Sequence, residues 1–296
     1  MTPVIPKILS YGAGLDSFAM LVDAIARGEK PDIVAFVDVA DPEHIDPGEW
    51  PSTYRHIEEI VKPLCSSVGI EFVTIDSVAY PVRDARSLFA WLAARKQIPV
   101  AGPARICTVV AKVERFEAWV ADRFPEQPVE VWIGFEAGEE SRAAKDPNAG
   151  KPSALRRNRF PLMEGGFCRC RCEALVLAAG YPVPRKSACM FCPYGTKGDW
   201  QTLEREQPAA FAKIGQLETD KPLTKNGKKL SIMGYRTLKD RNGNPTGEYR
   251  APPIAKFIVG TYRPKEKPCN VCGSSNRASK AMGCTFIESP TQGAIP

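Results

Sequence analysis

Cysteines are the residues of this 296-residue chain whose types and spacing most directly suggest chemistry. Eight of the ten fall into two groups, which are Cys168, Cys170, Cys172, Cys189 and Cys192, and then Cys269, Cys272 and Cys284. The start of the chain lacks the features of a secretory signal, so metal or iron–sulfur ligation is favoured over disulfides. Histidine occurs only twice, and thiolates must therefore supply most of the ligands.

The first group predicts a metal centre. In Cys189-x-x-Cys192 a two-residue spacer lets both sulfurs converge, and the adjacent Pro193 is a frequent companion of cluster cysteines. We expect Cys107 and Cys172 to complete the centre. A [4Fe–4S] cluster is the leading interpretation, and a zinc ion bound by four cysteines uses the same spacing.

The tail group supplies only three ligands, Cys269, Cys272 and Cys284, so Cys168 or Cys170 is expected to provide the fourth. A small structural Zn²⁺ knuckle is the favoured interpretation. Free thiols in a loose tail are the alternative.

A glycine-containing turn near the start of the chain predicts an anion site. The turn separates a predicted strand, Val4–Leu9, from a predicted helix, Leu15–Ala26, and the first N–H groups of a helix attract anions. The residues expected around the anion are Ser10, Gly12, Gly14, Asp16 and Ser17. The serine hydroxyl would donate to a phosphate, and the aspartate would bind Mg²⁺. A plain strand-to-helix turn without a ligand is the alternative.

Strands alternate with helices beyond this turn, which predicts an α/β fold with a Rossmann-like parallel sheet and helices on both faces. Further strands are expected at Ile33–Val37, Glu71–Ile75 and Val129–Ile133, and further helices at Ser52–Cys65, Leu88–Lys96, Ala111–Phe124, Glu173–Ala179 and Gln201–Glu218. Ala143–Asn158 is expected to be a loop, and Asn242-Gly243 marks a β-hairpin.

We expect three regions, which are a nucleotide-binding α/β core in residues 1–145, a cysteine-rich segment completing it in 146–218, and a basic hairpin with a cysteine-containing tail in 219–296. Residues 1–150 carry 15 basic and 23 acidic side chains, a net of −8, whereas residues 151–296 carry 25 and 11, a net of +14. Such asymmetry predicts that residues 151–296 contact nucleic acid, DNA or RNA. Solvated lysines without a partner are the alternative.

An ordered set of segments resembles the PP-loop (adenine nucleotide alpha-hydrolase) superfamily, and specifically its phosphoadenylylsulfate (PAPS) reductase-like branch. These segments are Ser10–Ser17, Asp38, Arg105–Thr108 followed by Lys112, Ile133–Phe135 leading to Glu139–Arg142, Pro161-Leu162 ahead of Cys172, and Lys186–Pro193. DNA phosphorothioation ATPase subunits and thiouridine synthetases belong to the same superfamily, and several members carry a [4Fe–4S] cluster.

The resemblance implies a HUP-type sheet that binds ATP with Mg²⁺ at the carboxyl ends of its strands and breaks the α–β phosphate bond. It assigns Asp16, Lys112 and Arg142 to catalysis, with the two cations neutralising the pyrophosphate. Gly134 and Asp38 join the nucleotide site, Asp38 by binding ribose or metal.

The resulting hypothesis is an ATP pyrophosphatase or adenylyl-transfer enzyme that takes part in sulfur transfer or nucleic-acid modification, with a sulfur donor protein as a further partner. One alternative is a sulfonucleotide (PAPS) reductase, although the chain has no histidine after His56 to accompany a tail cysteine. Another is a non-enzymatic nucleotide- or nucleic-acid-binding module with structural zinc. No apolar run reaches the length of a membrane span, and a cytoplasmic location is expected.

Overall fold

The computed structural model describes residues 5–101, 106–146, 155–223, 230–232, 236–239, 242, 245–250, 253–261 and 269. Its main sheet contains five parallel strands in the order β3-β2-β1-β4-β5. The strands are β1 (Lys7–Ser10), β2 (Ile33–Val37), β3 (Glu71–Ile75), β4 (Val129–Ile133) and β5 (Arg156–Arg159). The predicted Rossmann-like α/β class is thereby confirmed.

Helices connect the strands and continue into the cysteine-rich region. They are α1 (Leu15–Ala26), α2 (Pro51–His56), α3 (Lys62–Ser67), α4 (Leu88–Ala94), α5 (Ile106–Thr108), α6 (Glu114–Arg123), α7 (Glu140–Ala143), α8 (Pro161–Glu164), α9 (Arg169–Ala178), α10 (Lys197–Glu206), α11 (Pro208–Asp220) and α12 (Ile254–Phe257). Two π-helical segments, Ile57–Val61 and Val109–Val113, join α2 to α3 and α5 to α6. No helix of the described residues combines the length and the apolar character needed to cross a bilayer.

The three inner strands β1, β2 and β4 are largely buried on both faces, which explains their mostly apolar sequences. Leu9, Phe36 and Trp132 face a core that α1 and α9 cover. Ile8 and Val131, their neighbours along the strands, face a second core on the side of α6. This alternation fixes the register of β1 between β2 and β4.

The bounds predicted for α1, β2, β3 and β4 agree with the structure. The predicted loop over Ala143–Asn158 was wrong at its end, because β5 begins at Arg156. Its sequence, Arg-Arg-Asn-Arg, has no apolar alternation, and pairing with β4 at the sheet edge places it in the fold. The predicted helix over Gln201–Glu218 is two helices, because Pro208 supplies no N–H to continue α10.

A second, two-stranded sheet follows in the basic region. β6 (Arg236–Lys239) pairs antiparallel with β7 (Pro245–Arg250), and Asn242 lies between them. The hairpin predicted at Asn242-Gly243 is confirmed.

His56 is buried beside the core that α1 and α9 form. Its ring meets Phe18 edge-on with ring centres 4.7 Å apart, and none of the described residues forms a hydrogen bond with its Nε2. Burial lowers the pKa of His56 to about 4, so the folded protein holds the imidazole neutral.

This burial makes stability depend on pH. The pKa of an unfolded histidine is about 6.5, so as the pH falls the unfolded chain takes up the proton first. The contribution of His56 to the free energy of unfolding should therefore fall by about 2 kcal/mol between pH 7.5 and pH 5. Urea unfolding of wild type and His56→Leu at both pH values measures this difference. An equal pH dependence in the two proteins would contradict the assignment.

Candidate active site

A cleft of about 680 Å³ opens at the carboxyl ends of β1, β2 and β4. β1 lies between the other two strands, so the cleft occupies the switch point where parallel sheets bind ligands. Sequence-predicted residues lining it are Ser10, Gly12, Gly14, Asp16, Ser17, Lys112, Gly134 and Arg142. The structure thus brings together residues that are far apart along the chain.

The amino end of α1 faces this cleft. Gly14 is its N-cap residue, with φ −106° and ψ 176°, and no side chain of the described residues caps the helix. Ser17 donates its hydroxyl to the Gly14 carbonyl at 3.1 Å, within the same turn. The first N–H groups of α1 are therefore directed towards the cleft without a capping side chain, as an anion site requires.

Gly134 follows β4 and lies directly against the start of α1. A Cβ at this position would lie 3.1 Å from the Ser17 nitrogen and 3.2 Å from the Ser17 Cα. These are main-chain atoms that a side chain could displace only by moving the helix. The absence of a side chain at Gly134 is what allows β4 and the helix start to form one wall.

Two carboxylates meet in the cleft, Asp16 and Glu136. Asp16 Oδ1 and Glu136 Oε2 are both buried and have no hydrogen-bond partner among the residues that the structure describes. Burial, followed by the charge of Asp16, raises the pKa of Glu136 to about 7. Burial also raises the pKa of Asp16, and Arg169, which lies 3.5 Å from Asp16 Oδ2, opposes this shift.

Five cationic side chains line the cleft, namely Lys112, Arg142, Arg156, Arg169 and Lys186. Arg142 is held at the rim by an ion pair with Glu139 and lies 4.5 Å from the centre of the Phe135 ring. Phe135 stacks on Phe160 with ring centres 5.5 Å apart. The contact with Phe135 orders Arg142 while leaving the Arg142 side chain 48% exposed.

Lys112 connects the cleft to a buried acid. Its Nζ lies 2.8 Å from Glu49 Oε1, and the Glu49 side chain is fully buried. Burial alone would lower the pKa of Lys112, but the Glu49 carboxylate raises it above its ordinary value. Lys112 therefore carries a positive charge into the cleft.

Asp38, the remaining predicted nucleotide residue, follows β2 but is outside the cleft lining. Its Oδ1 accepts hydrogen bonds from the Tyr54 hydroxyl at 2.8 Å and from the Ala40 N–H at 3.0 Å. These contacts direct the carboxylate towards α2. A structural role in the loop after β2 accounts for them.

The cysteines expected to form one centre are divided by the structure. Cys107, Cys189 and Cys192 lie near one another, since Cys107 contributes to raising the pKa of both Cys189 and Cys192, and Cys192 contributes to raising that of Cys189. Burial raises the pKa of both Cys189 and Cys192. Glu49 pairs with Cys189 through a β-bridge, which places the three thiols next to the Lys112–Glu49 pair.

Cys172 lies elsewhere. It is fully buried in α9, in the core beneath α1, and its charged neighbours include Asp16, Glu136 and Arg169. Cys107 and Cys189 instead pack against a separate apolar cluster that contains Phe191 and Trp200. That Cys172 completes the centre of Cys189 and Cys192 stays a prediction.

A separate group of sulfurs brings together Cys168, Cys170 and Cys269, all within 4.8 Å of one another. Cys168 and Cys170 are buried at the start of α9. The sequence had suggested that one of these two joins the tail cysteines, and the structure places both beside Cys269. Cys272 and Cys284 lie outside the described residues.

Sequence reasoning missed Glu49, Glu136 and Arg169, and also two further cations of the cleft wall, Arg156 and Lys186. An acidic residue just after a parallel strand was a usable signal for Glu136, since strand ends converge at the ligand site. Arg169 stands between two cysteines in the sequence, and no pattern there marks it as a site residue. Glu49 lies in the long connection between β2 and α2, where no periodic pattern marks it.

Comparison with known proteins gives little further information. No protein-family model and no curated protein matches this chain. One matching solved structure is the U34-tRNA thiolase NcsA from Methanococcus maripaludis with its [4Fe–4S] cluster. It has 15% identity and a TM-score of 0.40, covering 71% of this chain and 70% of that chain. Similarity this distant has no bearing on function.

Proposed function

We propose that this chain is a PP-loop enzyme that binds ATP with Mg²⁺ in the cleft and breaks the α–β phosphate bond during modification of a nucleic acid. One observation carries the proposal. The cleft joins an uncapped helix end, two unpaired carboxylate oxygens and five cationic side chains at the switch point of a parallel sheet. Its volume of about 680 Å³ falls within the ordinary range for a small-molecule site.

The two ends of the cleft differ in polarity, which orients the nucleotide. Ala35, Val37 and Phe116 provide an apolar wall suited to the adenine ring. The glycine turn, Arg142 and Lys186 provide the donors and charges suited to the phosphates. The adenine would therefore lie over β2 and the phosphates over the start of α1.

The carboxylate pair fits Mg²⁺. This ion is commonly held by one or two carboxylates together with substrate phosphates. Asp16 Oδ1 and Glu136 Oε2 are buried acceptors without a donor in the described part of the chain, and their mutual repulsion is relieved by a cation. When bound, Mg²⁺ would neutralise charge on the phosphates.

The chain's own residues then support displacement at the α-phosphorus. An oxygen of the acceptor forms a bond to this phosphorus as the bond to the bridging oxygen breaks, and pyrophosphate leaves with the electron pair. Arg142 and Lys112 neutralise the departing charge, and the first N–H groups of α1 hold the phosphate oxygens. The products are an adenylylated acceptor and pyrophosphate.

Cys107, Cys189 and Cys192 are the residues we assign to an iron–sulfur cluster. Their donor set fits a cluster, because the three thiols neighbour one another. They also lie near Lys112 and Lys186, two residues that line the cleft. A bound cluster would supply the sulfur-transfer chemistry, with sulfur delivered by a donor protein. The residues named here would hold the cluster close to the adenylylated acceptor.

The basic half of the chain supports a polyanionic acceptor. Residues 151–296 have a net charge of +14 and contribute Arg156, Arg169 and Lys186 to the cleft wall. A nucleic acid approaching this side would reach the α-phosphate from the direction opposite to β2. Phosphate contacts of this kind supply much of the affinity for nucleic acids.

ATP binding tests the nucleotide assignment. Arg142→Ala should weaken binding of Mg²⁺–ATP by about tenfold or more in calorimetric titration, since a charge-assisted phosphate contact contributes about 1.5–3 kcal/mol. The matched control is Arg95→Ala, which removes an arginine paired with Asp84 and stacked on Trp91, outside the cleft lining. Equal affinities of both variants, or no ATP binding by wild type, would contradict the assignment.

A further inference from the structure

We propose that Cys168, Cys170 and Cys269 bind a single structural zinc ion, separate from the cysteines assigned to the cluster. Their sulfur atoms lie within 4.8 Å of one another. A tetrahedral zinc ion with bonds of about 2.3 Å to each thiolate holds the sulfurs about 3.8 Å apart. The three side chains therefore reach this geometry by small rotations, and they supply three of the four ligands that such an ion takes.

The arrangement favours one ion over a multi-iron cluster. A cluster with one thiolate on each iron spreads its ligands around a larger core, whereas these three sulfurs lie within 4.8 Å of one another. Cys168 and Cys170 are 2% and 3% exposed, so the bound ion would be shielded from solvent. Zinc binding releases the thiol protons to water, and the flanking Arg169 and Arg171 offset the negative charge of the thiolates.

The position of the group gives the zinc a specific consequence. Cys168 is the N-cap residue of α9 and Cys170 lies in its first turn, with Arg169 between them. The Arg169 guanidinium lies 3.5 Å from Asp16 Oδ2, and its main-chain N–H is hydrogen-bonded to Glu136. A metal ion bound by Cys168 and Cys170, the residues on either side of Arg169, therefore positions Arg169 against both carboxylates of the cleft.

Zinc content of the purified full-length chain tests the site. Elemental analysis should find about one zinc ion per chain in wild type and at least about tenfold less in Cys168→Ser/Cys170→Ser. Two controls should keep the zinc, namely Cys65→Ser, a buried thiol outside both groups, and Cys189→Ser/Cys192→Ser. Zinc retained by the first variant, or lost from the second control instead, would overturn the proposal.

Cobalt substitution tests the same site in wild-type protein, so this test does not depend on the folding of the double variant. Wild-type protein exchanged with Co²⁺ should show the visible absorption of a tetrahedral thiolate-bound ion, at about one equivalent. The spectrum of an octahedral ion, or no bound cobalt, would overturn the site. Neither readout depends on ATP, so failure here is distinct from failure of the proposed function.

The positioning role has its own test, which rests on the proposed function. Zinc loss and Arg169→Ala should weaken Mg²⁺–ATP binding by similar factors, and combining them should add little further loss. Additive losses would show that the ion does not act through Arg169.

Discussion

Replacing Asp16 with asparagine should lower the rate of ATP turnover by about 10²- to 10³-fold. The buried Oδ1 of Asp16 is one of the two unpaired carboxylate oxygens available to Mg²⁺, and an amide carries no charge with which to hold the ion. Steady-state release of pyrophosphate at saturating Mg²⁺–ATP measures this effect.

The same variant should unfold at an unchanged or higher urea concentration. Asp16 and Glu136 repel each other, and burial raises the pKa of both groups, so removing one charge relieves strain in the folded protein. The matched control is Asp23→Asn on the same helix, where the carboxylate pairs with Arg27 at 2.8 Å. Turnover equal to that of wild type, or a loss of turnover that follows lost stability, would contradict the role of Asp16.

Replacing Lys112 with methionine should lower the free energy of unfolding by about 3 kcal/mol, near the lower end of the range for broken buried ion pairs. Glu49 is fully buried, and its Oε2 already lacks a hydrogen-bond partner within the described ranges of the chain. Without Lys112, the folded protein must either bury this charge unpaired or protonate it. Urea unfolding at neutral pH measures the loss.

Removing both charges separates the ion pair from simple packing. In Lys112→Met/Glu49→Gln no unpaired charge remains, so most of the lost stability should return. Lys62→Met is the control, since its pair with Glu58 lies on the surface and should contribute less than about 1 kcal/mol. A double variant as unstable as Lys112→Met would show that the stem of the lysine, and not its charge, stabilises the fold.

Local sequence patterns predicted the helices and strands that are determined by residues close to one another in the sequence. β2 and β3 have short apolar runs bounded by turns, and α1 has a regular apolar stripe after a glycine turn, so their bounds were recoverable. β5 was missed because a polar edge strand is defined by its partner, and the partner is distant in sequence. Pro208 marks the break between α10 and α11 in the sequence. The apolar periodicity continues across this residue, however, and therefore predicted a single helix.

The candidate site was predictable where residues follow strand ends, and unpredictable where loops decide the contacts. Ser10 and Gly134 meet in the cleft because their strands are neighbours. Cys172 lies in the core that α1 and α9 cover, and the sequence could not show this, since spacing alone does not say which face of a helix a sulfur occupies. The ion pair between Lys112 and Glu49 was not predictable, because Glu49 lies in the long connection between β2 and α2, whose sequence has no periodic pattern.

The bond broken in ATP tests the central claim most directly. ATP labelled at the α-phosphate is incubated with the protein and Mg²⁺, with total RNA or sheared DNA added, and the labelled products are separated. The account predicts label in AMP or on the nucleic acid, with unlabelled pyrophosphate released and both lost in Asp16→Asn. Label in ADP, with release of inorganic phosphate, would contradict it.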